Sequence, residues 1–136
     1  MEGRILLEVV TPQRLVFSEE VDEVTAPGVD GEFGVLPRHI PFIATLKIGA
    51  IMYRQGSVKR YIAITWGYAE VLSNKVIILC ESAQLADEID IAAAMAEKES
   101  AEAQLRKMAV GDKDYWSVKA SLDKAITEVV VHGKKG

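Results

Sequence analysis

Up to about Ser82, apolar residues recur at every second position or in short unbroken runs rich in Val, Ile, Tyr and Thr. After Ala83 they recur three and four apart, among Ala, Glu, Lys, Leu and Met. The first period belongs to strands, whose side chains alternate between faces, and the second to helices. The clearest strand runs are RILLEVV, RLVFSEEVDEVTA, AIMYR, KRYIAIT, GYAEVL and KVIILCES. RQGS at 54–57 and SN at 73–74 join neighbouring runs as hairpins, with Gly56 and Asn74 expected to take the positive φ of tight turns. So many short antiparallel strands predict a sandwich or flattened barrel. Trp66-Gly67 predicts a bulge or a close backbone approach within it.

Asp90 is the expected N-cap of a first helix through IAAAMAEKESAEAQLRKM, on which Ile91, Ala94, Ala101, Leu105 and Met108 form one stripe. The alanines allow a second helix to approach closely. Val110-Gly111-Asp112 breaks the run, and a second helix is predicted from about Asp114 with Tyr115, Val118, Leu122, Ala125, Ile126 and Val129 as the matching stripe. The fold class is therefore α+β. An N-terminal antiparallel β-sandwich over 1–85 precedes a C-terminal antiparallel two-helix hairpin over 86–136, with ESAQLADE as the hinge.

Within the strand half of the pattern lies PGVDGEFGVLPRHIPFIATLKIG, residues 27–49. Gly28, Gly31 and Gly34 resemble a phosphate-cradling loop in spacing, but such a loop needs a helix after it, and Pro37 and Pro41 forbid one. Turn, short strand and extended chain are predicted instead, with Gly31 and Gly34 at positive φ.

The 136 residues, 49% of them hydrophobic, suffice for a real core. A net charge of −4, spread evenly, offers no bulk attraction for nucleic acid or anionic lipid. No apolar run approaches the roughly 18 residues of a membrane helix, and MEGRILLEVVTPQ lacks the pattern of a leader, so a cytosol-like compartment is expected. The one cysteine, Cys80, reads as buried strand filler. Chemistry is scarce. His39 and His132 are too isolated for a metal site or a Ser-His-Asp arrangement. Glu97, Glu99 and Glu102 around Lys98 read as a solvated helix face, and Glu19, Glu20, Asp22 and Glu23 lack the spacing of a calcium loop. A binding or structural protein without cofactor or metal is predicted.

PGVDGEFGVLPRHIPFIATLKIG closely resembles the signature loop of the epsilon subunit family of bacterial and chloroplast F-type ATP synthases. The likeness spans the whole chain, through LEVVTPQRLVFS, WGYAEV and the alanine-rich hairpin. It implies a β-sandwich followed by two helices, and a non-catalytic rotor subunit of the central stalk. In that role the sandwich binds the gamma subunit and the ring of c subunits, coupling ring rotation to ATP synthesis. Membrane association is then peripheral and only through the complex, on the cytoplasmic face of a bacterial membrane or the stromal face of a thylakoid. On the loop, the resemblance assigns Gly31, Glu32, Gly34, Arg38 and His39 to the gamma and c-ring interface.

In this family the hairpin is a regulatory arm that extends beside gamma toward the catalytic beta (and alpha) subunits and blocks ATP hydrolysis. Arg106 and Lys107, at the end of the first helix, and Lys119 and Lys124, on outer faces of the second, are the expected contacts, with Trp116 off the apolar stripe. Some members bind ATP through an I/L-D-x-x-R-A motif. Here it stands as Ile89-Asp90-Ile91-Ala92-Ala93-Ala94, so Asp90 persists but Ala93 replaces the arginine, and weak or no ATP binding is expected. An ATP-sensing arm in the same complex is the alternative reading. An unrelated small-molecule-binding β-sandwich is the third.

Overall fold

The computed structural model describes residues 3–134. Within them lie ten strands: β1 (Ile5–Val10), β2 (Leu15–Val21), β3 (Glu23–Gly28), β4 (Gly31–Val35), β5 (Phe42–Leu46), β6 (Gly49–Gln55), β7 (Val58–Ile64), β8 (Gly67–Val71), β9 (Lys75–Cys80) and β10 (Ala83–Leu85). A 3-10 turn (Ala86–Glu88) leads to helices α1 (Ile91–Leu105) and α2 (Tyr115–Gly133). The strands pair in the order β10-β7-β6-β3-β5-β8-β9-β1-β2, and β4 folds back on β3 outside that path. A single pair, Gly28 with Leu46, joins β3 to β5. Strand alternation then fills the interior: Ile5, Leu7 and Val9, Ile62 and Ile64, Val76 and Ile78 all point inward and are almost wholly buried. Each such aliphatic is worth roughly 1.5–3 kcal/mol on burial.

Two expectations about the strands need correction. The run RLVFSEEVDEVTA is not one strand but two, divided at Asp22. That carboxylate accepts from the Gly56 amide at 2.7 Å and the Arg4 guanidinium at 3.1 Å, so it ties the bend to the β6–β7 turn. The sheet is also not wholly antiparallel, because β1 runs parallel to β9, Leu6 opposite Lys75 through Val10 opposite Leu79. Both strands are near-continuous apolar runs, yet only one face of each is buried, with Leu79 48% exposed on the other.

The turns divide likewise. Gly56 has φ +64 as expected, and Gly31 has φ +132. Asn74 and Gly34 do not take positive φ, whereas Arg38 does, at +67. Gly67 is a close approach as predicted, since a side chain there would collide with the backbone of Leu79 and Cys80.

Asp90 caps α1, accepting from the Ala93 amide at 3.1 Å. Ala94 and Ala101 of α1 and Ala125 of α2 are buried where the helices meet. Ile126, expected in that stripe, is instead 37% exposed. The hairpin rests on the β6–β7 side of the sandwich through a small second cluster, Ala63, Ile89, Ala94 and Val131, with Ala50, Tyr61, Ala86 and Val129 at its edge. Cys80 is buried, and burial pushes its thiol pKa up to about 11. No helix among the described residues is long and apolar enough to cross a membrane.

Candidate functional site

The glycine-proline segment forms the β3–β4 hairpin and the chain after it, and the Val29 amide at its tip donates to the Thr45 carbonyl of β5 at 2.9 Å. Val29 and Asp30 form its tip between the paired Gly28 and Gly31. A Cβ at Gly28 would lie 2.6 Å from the Gly31 carbonyl oxygen, and φ at Gly31 excludes most side chains. Gly34 meets nothing closer than 3.9 Å, so its lack of a side chain is not sterically required. Glu32 is exposed opposite Pro27. Arg38 follows Pro37, and its amide donates to the Ser73 carbonyl at 2.7 Å, anchoring the segment to the β8–β9 turn. His39 donates from Nδ1 to the Ile40 carbonyl at 2.8 Å, because a carbonyl can only accept. Its ring meets Phe42 edge-on at 5.2 Å, and Phe42 in turn meets Phe33 at 5.3 Å. The row of His39, Phe42 and Phe33 holds the segment after β4 to the core.

Beside that segment lies a surface that no local motif reports. Ile40 is 79% exposed and Ile43 72%. Thr45 pairs with Tyr68, Tyr68 with Leu79, Leu79 with Val10 and Val10 with Leu15, and directly paired residues share a face. Ile43, Tyr68, Leu79 and Leu15 therefore form one exposed apolar band across β5, β8, β9 and β2. A shallow depression of about 490 Å³ lies in it, bordered by Val10, Pro12, Trp66, Tyr68 and Leu79. The signal was present in KVIILC, where alternation fails because apolar residues occupy both faces. Contiguous exposed apolar surface of this kind marks an interaction site.

The second candidate region lies between the hairpin and the sandwich. Arg106 and Lys107 are exposed at the end of α1. Lys119 is held by Asp123 at 2.7 Å, one turn further along α2. Lys124 is exposed, as expected, and also borders the clefts between α2 and the sandwich, near Thr65, Ser82 and Gln84. Trp116 is 67% exposed, meets Tyr115 edge-on at 5.0 Å, and shares a cleft of about 310 Å³ with Trp66. A neighbouring cleft of about 370 Å³ is lined by Gln84, Asp90, Ala93, Glu97, Lys124 and Glu128. Burial raises the Glu128 carboxyl pKa, Lys124 opposes this and Glu97 adds to it. Glu97 is exposed, as expected of a solvated face, and also borders this cleft. Three carboxylates there face one ammonium, and the guanidinium fork that suits a triphosphate is missing.

Comparison with known proteins bears on both regions at once. The family model "ATP synthase, Delta/Epsilon chain, beta-sandwich domain" matches residues 4–86, and "ATP synthase, Delta/Epsilon chain, long alpha-helix domain" matches 87–129. The chain is 46% identical to ATP synthase epsilon chain 2 of Syntrophotalea carbinolica over 100% of its own length and 99% of that protein. It is 46% identical to the ATP synthase epsilon chain of Geobacter sp. strain M21, covering 98% and 97%. A chain in the mitochondrial ATP synthase of Euglena gracilis, solved with OSCP, F1 and the c-ring, shares the fold at a TM-score of 0.78 and 23% identity, over 92% of this chain and 79% of that one.

Proposed function

Because this chain belongs to the delta/epsilon chain family of ATP synthases, we propose that it is a rotor subunit whose sandwich holds gamma and the c-ring and whose hairpin restrains ATP hydrolysis. The observation that carries the division of labour is the unequal treatment of the two sheet faces. One is covered by the hairpin, and the other presents Ile43, Tyr68 and Leu79 uncovered beside the glycine-proline segment. A large apolar protein surface suits the exposed band, for which gamma is the proposed partner. Exposed Glu32 on β4, next to the tip residue Asp30, suits the hydrophilic loops of the ring. Among the described residues no group of three or more His, Cys, Asp or Glu is arranged to hold a metal.

The arm reading is supported by how little holds the hairpin down. Its seat contains four buried residues, two of them alanines, and clefts of about 370 and 310 Å³ flank it. Small side chains bury little area, so docked and extended states lie within a few kcal/mol of one another. In the extended state Arg106, Lys107, Lys119 and Lys124 would face the acidic surface of a catalytic subunit. A chain ending at Leu85, which keeps β10, tests this in the assembled enzyme. It should co-purify with gamma, sustain ATP synthesis and hydrolyse ATP faster than the enzyme with full-length chain. Loss of gamma binding would overturn the role of the sandwich, and unchanged hydrolysis that of the arm.

A further inference from the structure

The hinge between sandwich and hairpin is closed by one ion pair that joins distant parts of the chain. Arg14 Nη1 and Nη2 donate to the two carboxylate oxygens of Glu88, each at 2.8 Å, across 74 residues. This parallel geometry is the strong form of an arginine–carboxylate contact. Arg14 Nη2 also donates to the Ala83 carbonyl at 3.3 Å, on the free edge of β10. Glu88 in turn accepts from the Leu85 amide at 2.9 Å and so closes the 3-10 turn in which it lies. Arg14 itself is pre-placed, since Thr11 accepts its amide at 3.3 Å and the Arg14 carbonyl accepts the Thr11 amide at 3.0 Å. One guanidinium therefore touches both the last strand and the turn after it.

Glu88 precedes buried Ile89 and the cap residue Asp90, so the geometry of the turn sets the direction in which α1 leaves the sandwich. We propose that the Arg14–Glu88 pair is a clasp that holds the hinge in its docked geometry and must open before the hairpin can leave the sheet. The inference rests on the mobile-arm reading above, and supplies its point of control. Removing the clasp leaves the second apolar cluster intact but frees residues 86–90 to change backbone angles. The docked hairpin then competes with more alternatives, and its opening becomes more frequent.

Amide hydrogen exchange on the full chain tests this, with Arg14→Ala, Glu88→Gln and the exchanged pair Arg14→Glu/Glu88→Arg. Glu88→Gln keeps an oxygen for the Leu85 amide and removes the charge together with the acceptor of one Arg14 hydrogen bond. In Arg14→Ala, protection across residues 86–105 and in α2 should fall roughly two- to fivefold, as loss of an exposed bidentate ion pair implies, while β5 and β8 keep theirs. Glu88→Gln should show part of the same loss, and the exchanged pair should be better protected than Arg14→Ala. The clasp is overturned if hairpin protection is unchanged in Arg14→Ala, if β5 and β8 lose protection equally, or if the exchanged pair is no better than Arg14→Ala. The mobile-arm reading fails separately, if α1 and α2 of the unaltered chain exchange as slowly as the sandwich core.

Discussion

At the scale of the residue, the loop glycines separate by conformation rather than by position in the motif. Gly31→Val forces a β-branched side chain to φ +132 and should cost roughly 1–3 kcal/mol. Gly34→Val places its side chain in open space on an ordinary strand and should cost far less, as should Glu32→Ala. Urea denaturation of the three variants checks the order, and equal losses at 31 and 34 would contradict it. Spacing alone could not make this distinction, because φ depends on pairing with β3 that a run of three glycines does not encode. Asp22 gives a pH prediction. The Gly56 amide first, with Arg4 and Arg54, holds its carboxyl below the usual carboxylate range. A depressed folded pKa contributes stability above the unfolded value, near 4, and that stability is lost as pH falls through the folded one. Asp22→Asn should therefore flatten the acid limb of the stability curve between about pH 4 and its folded titration.

At the scale of the element, the helices were nearly fully legible and the strands less so. Period, alanine content and an N-cap aspartate act locally, so α1 begins where Asp90 predicts. Ile126 was misplaced because helical spacing brings two faces within reach of the stripe, and only the seat on the sandwich decides between them. The parallel β1–β9 pair and the division at Asp22 depend on partners far away in sequence, which local pattern does not report. The exposed band was legible in KVIILC as apolar residues on both faces, though its occupant was not. Val131, fully buried, is a principal anchor of the hairpin. Val131→Ala should cost roughly 1–3 kcal/mol, a large share of so thin a seat, and should loosen the hairpin without unfolding the sandwich. Fluorescence of Trp116 would register that release. In the cleft beside Asp90, calorimetry should find no low-micromolar binding of ATP to the full chain. Ala93→Arg, which adds the missing fork, should strengthen whatever binding there is, and tight binding lost on changing Asp90 would refute the mechanical reading.

At the scale of the whole molecule, assembled enzyme is the right object of measurement. Replacing Arg106, Lys107 and Lys119 by alanine should raise its ATP hydrolysis severalfold if these charges meet an acidic partner, and leave ATP synthesis unaltered. The parallel pairing of β1 with β9 also has a consequence for how the molecule is made. A strand near the start of the chain can complete its hydrogen bonds only when residues 75–80 are available, so the loop to be closed spans nearly the whole sandwich. Such long-range closure is slow and keeps apolar strands waiting. During synthesis β1 and β2 can form a hairpin at once, but the core around Ile5, Leu7 and Val9 stays open until β9 has emerged. The helical hairpin emerges last, onto a sheet that is already finished. Its removal should therefore leave the refolding rate of the sandwich within about twofold of that of the full chain, whereas weakening β9 with Ile78→Ala should slow refolding itself, a difference that stopped-flow measurements on the two variants would resolve.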